Sequence, residues 1–200
     1  MATTFSPATA TYFTTQTRMH ARVLFWVRAL NRMTGALETL GIWNGDDHRE
    51  FTIAGETRTY YGAGSLLSVD PIVSRTGLEV RRHQMTLSPL SAEVQTLIRG
   101  YDARFAPVEL HRALFDPDTH NLIDEPHRRF AGYIDKVKLK SGPKGSKVTV
   151  ELTLASSARA LTVALSRKRS AETLRARAPG DGFRKYADVA GVITTPWGTD

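Results

Sequence analysis

The chain has 200 residues, 41% hydrophobic and 24% charged, with no cysteine and a formal net charge of +7 from 27 Lys and Arg against 20 Asp and Glu. This is enough chain for one domain with a substantial core, and the missing cysteine excludes a disulfide scaffold, thiolate metal or iron-sulfur sites and a cysteine nucleophile. No run of roughly 18 apolar residues occurs and the first residues carry no secretory signal, so a protein made in the cytoplasm, with no spanning helix, is expected.

The charge is local. Between Ser156 and Lys185 stand Arg159, Arg167, Lys168, Arg169, Arg175, Arg177, Arg184 and Lys185 against Glu172 and Asp181, so this segment holds +6 and the remainder is near neutral at +1. Such a distribution suggests a basic arm that docks on an acidic surface rather than a whole face built to follow phosphates.

In chain order, residues 1–20 predict a short helix or loop. Ala21–Arg28 is β-branched and aromatic and predicts a strand with Val23, Phe25 and Val27 on one face; Leu37–Trp43 returns it, and Asn44-Gly45-Asp46-Asp47 is a turn. Phe51–Ile53 and Thr57–Tyr61 form a hairpin. Leu66–Ser74, broken by Pro71, predicts an edge strand, and Leu78–Leu87 a further strand. Ser91 as N-cap before Val94, Leu97 and Ile98 predicts a helix over Ser91–Arg99. Pro107–Phe115, Arg129–Leu139 and Val148–Leu154 predict strands, the last with Val148, Val150, Leu152 and Leu154 facing inward. The fold class is therefore mainly β with minor α: an antiparallel barrel or sandwich over residues 1–155 with one flanking helix, followed by an extended basic arm over 156–200.

Two groups have the residue types of metal sites. Asp46-Asp47-His48 with Glu50 reads instead as a solvated hairpin tip. Asp116, Asp118, His120, Asp124 and Glu125 fail the calcium-loop spacing, because Asn121 stands where glycine is needed, and read as a long hairpin loop. None of the six histidines lies in a motif with a nucleophile, and neither a nucleophile elbow nor a phosphate-binding glycine loop is present. No catalytic residue, metal or cofactor is expected, and the chain reads as a non-enzyme.

Taken together, Ile42-Trp43-Asn44-Gly45-Asp46, the run from Tyr60 to Leu67, Thr86-Leu87-Ser88-Pro89-Leu90, Phe130-Ala131-Gly132-Tyr133-Ile134-Asp135 and the ending from Pro179-Gly180-Asp181 to Trp197-Gly198 resemble the tail-tip or baseplate hub proteins of long-tailed phages and gene transfer agents. The resemblance spans about Arg22 to Trp197. It implies a tail-tube-like β-barrel or sandwich and a virion structural subunit at the tail tip. It also implies a homo-oligomeric ring, trimeric or hexameric, with the distal tail or tail tube protein, the central fibre protein and other tail-tip subunits as partners. DNA would pass the channel only transiently, at ejection, and the chain would not insert into a membrane. Longer relatives can carry a cysteine-rich part with an iron-sulfur cluster, which a chain without cysteine cannot inherit. A hub and a distal tail ring are not separated by these motifs; a nucleic-acid-binding module using Arg167-Lys168-Arg169 and a small cell-wall hydrolase are the other readings. The residues expected at a partner interface are Arg167, Lys168, Arg169, Arg175, Arg177, Phe183, Tyr186 and Trp197.

Overall fold

The computed structural model describes residues 6–15, 18–72, 79–141, 143, 148–162, 170–186 and 191–192. By its internal contacts the chain forms two units, 1–160 and 161–200.

The first unit begins with helix α1 (Pro7–Thr15), which buries Thr9 and Tyr12 one turn apart. Strands β1 (His20–Asn31) and β2 (Leu37–Trp43) form a long hairpin, followed by the hairpin β3 (Arg49–Ile53) and β4 (Glu56–Tyr61) and the short strand β5 (Leu66–Val69). After β6 (Arg82–Leu87) come α2 (Ala92–Gln95), a π-helical turn (Thr96–Gly100), the two-residue strand β7 (Tyr101–Asp102), β8 (Pro107–Phe115), β9 (His127–Lys140) and β10 (Thr149–Ser156). The ten strands among the described residues belong to one sheet in the order β3-β4-β2-β1-β8-β9-β10-β6-β5, with β7 pairing β1.

The side chains of one face of this sheet pack against each other. Phe25 and Val27 of β1, Ile42 of β2, Leu110 of β8, Ile134 of β9, Leu152 of β10 and Leu87 of β6 join a single buried cluster, so the inner faces of distant strands meet. The curl has a cause in β9, which carries two irregularities: its register slips opposite Leu110/His111 and again opposite Thr153/Leu154. Bulges bend a strand and increase its twist. The opposite face of β1, β2 and β8 is covered by the β3–β4 hairpin, where Phe51, Ile53 and Tyr60 meet Leu24, Trp43, Ala113 and Phe115. Gly41 permits this contact, because a Cβ there would strike the Thr59 carbonyl and the Tyr60 and Trp26 rings.

The mainly β class matches the sequence expectation, and several details correct it. The sheet is mixed, because β2 and β4 run parallel. It is open: among the described residues its end strands β3 and β5 do not pair with each other. Instead of one flanking helix, the described residues hold three α-helices, two in the first unit. The expected helix over Ser91–Arg99 is one α-turn that changes to π winding, although Ser91 does cap it by accepting from the Val94 N–H. There the Thr96 hydroxyl donates to the Ala92 carbonyl at 2.9 Å, a local bond that competes with the helix ladder. Val148 precedes β10 and is 42% exposed, whereas Val150, Leu152 and Leu154 are fully buried. The expected strand ends at Ser74 and Leu78 lie outside the described residues.

The second unit contains α3 (Ala171–Arg177). Ser170 caps it by accepting from the Thr173 N–H at 3.3 Å, and Arg175 pairs with Glu172 at 2.9 Å. No residue of α3 is buried. The expected extended arm over 156–200 therefore contains helical structure: a 3-10 turn (Ser157–Thr162) and α3.

Candidate functional site

In the first unit, six cationic side chains from five segments surround a cavity of about 630 Å³. Arg32 follows β1 and is anchored by its backbone N–H to the Gly100 carbonyl at 2.8 Å. Arg82 opens β6, Arg104 lies between β7 and β8, Lys136 and Lys138 sit two apart on β9, and Arg159 comes from the 3-10 turn. Asp135 is the single carboxylate among the described lining residues and is 6% exposed. Arg159 is hydrogen-bonded to it, and Arg82 approaches to 3.9 Å. Five positive charges remain in excess. Arg104 and Arg159 also lie over the ring of Phe105, at 4.9 and 5.3 Å from its centroid.

Sequence reasoning missed this cluster because it sums to little charge at any one place along the chain: its six cations come from five separate segments. By sequence Arg159 belongs to the basic arm, but both it and its carboxylate partner lie in the first unit. The visible signal was Lys136-x-Lys138-x-Lys140 in β9, three lysines at the strand period.

The two expected ligand-like groups are brought together. Asp46, Asp47 and His48 from one and His120 from the other line a cavity of about 540 Å³ with His20, Arg22 and Phe115. The rings of His20 and His120 are 5.7 Å apart edge to face, and Gly62 N–H donates to His48 Nδ1 at 3.4 Å. Among the described residues no three His, Asp or Glu side chains are placed to hold a metal ion. Asp116 is engaged by backbone, accepting from Asp118 and Thr119 N–H groups, which hold its carboxyl below the usual carboxylate range.

One further group has a hydrolytic composition. Thr9 Oγ1 lies 3.2 Å from His127 Nε2 and donates to Asp124 at 3.1 Å, while Ser6 also bonds Asp124. The chemistry fails on geometry. A nucleophile needs the acid on the far ring nitrogen of the histidine, whereas Asp124 approaches the same Nε2 at 4.0 Å, and Thr9 is fully buried. This group pins α1 to the β8–β9 loop.

Glu109 binds Arg58 at 2.9 Å and Arg128 at 3.2 Å, with buried His111 at 3.7 Å. Burial alone would raise the Glu109 pKa, but the hydrogen bond from Arg58, the charge of His111 and the bond from Arg128 hold it below the usual range. Burial pushes His111 down to about 4 against the opposing pull of Glu109, and its Nδ1 has no hydrogen-bond partner among the described residues.

Of the expected interface residues, Arg175 and Arg177 lie in the last turn of α3, and Phe183 and Tyr186 follow it, 88% and 64% exposed. Arg167, Lys168, Arg169 and Trp197 lie outside the described residues. Among the described residues no helix is long and apolar enough to cross a membrane. The chain matches no family model and no curated protein.

Proposed function

We propose that the chain is a virion structural protein of the phage tail tip or baseplate, a hub-type ring subunit joining the tail tube or distal tail ring to the central fibre. In this reading the curled sheet is a tail-tube-like barrel left open in the single chain, and residues 156–200 lie against a neighbouring subunit. Arg167, Lys168, Arg169, Arg175 and Arg177 would face acidic surface there, and Phe183, Tyr186 and Trp197 would fill pockets. The observation that carries the reading is the set of large apolar side chains left in water at the β1–β2 hairpin and after α3. Met33 is 92% exposed, and Leu30, Leu37, Phe183 and Tyr186 are each at least half exposed. A ring subunit covers such surface on assembly.

Two of the resembling motifs hold a glycine at a tight joint of the fold, which supports the reading. Gly62 abuts the Asp47 and Gly45 carbonyls and the Trp43 indole, and a Cβ on Gly132 would overlap the Ala155 carbonyl of β10. Neither contact tolerates a side chain, which ties those glycines to this geometry.

Electron microscopy of the purified protein and of virions labelled with antibody against it tests the proposal. Rings of three or six subunits and label at the tail tip are expected. A protein that stays monomeric at every concentration and is absent from virions would overturn it.

A further inference from the structure

We propose that the basic cavity bounded by Arg32, Arg82, Arg104, Lys136, Lys138 and Arg159 binds the backbone of a single-stranded nucleic acid, with Phe105 as the platform on which a base stacks. The inference is independent of the tail-subunit reading, and of its six cations only Arg159 belongs to the basic C-terminal segment.

Three observations converge. The first is charge placed without compensation: among the described residues the ion pairs at this cavity all end on Asp135, and none reaches Arg32, Arg104, Lys136 or Lys138. Asp135 is itself nearly buried, so it organises Arg159 at the wall and screens little of the rest. The second is residue type. Four of the six cations are arginines, whose planar forks take two phosphate oxygens at once, and the two lysines add point charges along β9. The third is Phe105. Its backbone has φ of 63°, a conformation costly for a bulky residue, and it is fixed there by its N–H to the Ile134 carbonyl at 2.8 Å and by the Ile134 N–H to the Ala106 carbonyl at 3.0 Å. The result is an aromatic residue left 49% exposed, with two cavity arginines over its ring, rather than turned into the core.

Phe105 distinguishes the ligand. An acidic peptide would use the cations and leave the ring idle, whereas a splayed nucleotide uses both, since every base has a face to stack. A duplex keeps its bases paired and would leave the ring unused too. Single strands are bound by this pairing of an electropositive groove with an aromatic platform.

The test is fluorescence anisotropy of a labelled oligothymidylate of about ten nucleotides with the full chain at about 50 and 200 mM salt. Binding is expected at the lower salt and at least about tenfold weaker at the higher. Arg104→Glu with Lys136→Glu should weaken binding at least about tenfold and flatten the salt dependence. Phe105→Ala should weaken it by about tenfold with the salt slope unchanged, and Phe105→Tyr should restore it. All three positions are exposed, and unfolding midpoints verify that the variants fold. Arg175→Glu with Arg177→Glu makes the same change of net charge elsewhere and should have a smaller effect. The proposal is overturned by absence of binding at low salt, by an equal loss in that control, by polyglutamate competing as well as oligothymidylate, or by a duplex binding as tightly with Phe105→Ala silent.

Discussion

The indole N–H of Trp43 donates to the backbone carbonyl of Asp47 at 2.7 Å, folding the acidic tip after β2 back over the ring that ends that strand. Gly45 lies against the same ring and Gly62 against the carbonyls of Asp47 and Gly45, so two backbone segments and one indole meet without room for a side chain. Gly62→Ala should destabilise the protein by about 1–3 kcal/mol as an overpacked joint, and Trp43→Phe should cost at least the roughly 1 kcal/mol of the lost hydrogen bond. Urea midpoints measure both; a Gly62→Ala protein as stable as the parent would mean that the joint yields.

The register of β10 gives a sharper contrast. Leu152, opposite Met85 on β6 and Val137 on β9, is fully buried, and Leu152→Ala should cost about 2–5 kcal/mol. Val148 is part of the same alternating sequence but precedes the strand, so Val148→Ala should stay within about 0.5 kcal/mol. Equal midpoints for the two variants would place Val148 in the core after all.

Alternation made β1, β8 and β10 legible, because each buries side chains two apart against the inner cluster, and β2 was legible as the return of β1 between two turn signals. The β9 apolar set was also visible, yet its spacing jumps from Ile134 to Val137, three residues where a regular strand has two. The structure places the extra residue, Asp135, in a bulge opposite Thr153/Leu154, and a buried carboxylate results. That irregular gap is a second sequence signal, for the buried carboxylate that lines the basic cavity. Nothing local told which strands would be neighbours: the parallel β2–β4 contact depends on Gly41 admitting the β3–β4 hairpin, a long-range packing event. The cations of the cavity were equally invisible as a group, since their convergence is a product of the sheet's curl.

Acid should weaken the fold before the carboxylates titrate. His111 has a folded pKa of about 4 against about 6.5 when unfolded, so between these values the unfolded chain binds the extra proton and stability falls as pH falls. From pH 7 to pH 5 this amounts to roughly 1–2 kcal/mol. Burial shifts His83 in the same direction, with the Arg81 charge adding to it. Glu109, Glu93 and Asp124 are shifted down, so their contributions are present above the normal carboxylate range and are lost only at lower pH. Urea midpoints at pH 7, 6 and 5 should therefore decline, and His111→Gln should remove much of the decline. An unchanged slope in that variant would assign the pH dependence to other groups.

The final prediction separates the two arginines on Asp135. Arg159 is hydrogen-bonded to the buried carboxylate and is itself only about a quarter exposed, whereas Arg82 stands 3.9 Å away with a largely exposed side chain. Removing Arg159 leaves a buried charge without its principal hydrogen-bond donor and frees Phe105 of one of its two overlying guanidinium groups. Arg159→Ala should accordingly cost about 1.5–3 kcal/mol, the range for a hydrogen bond to a charged group. Arg82→Ala should cost less than about 1 kcal/mol, as for a solvent-screened pair. The double variant Arg159→Ala with Asp135→Asn removes the orphaned charge and should recover part of the loss. If the two single variants unfold at the same urea concentration, Asp135 is held by the surrounding field rather than by the Arg159 bond.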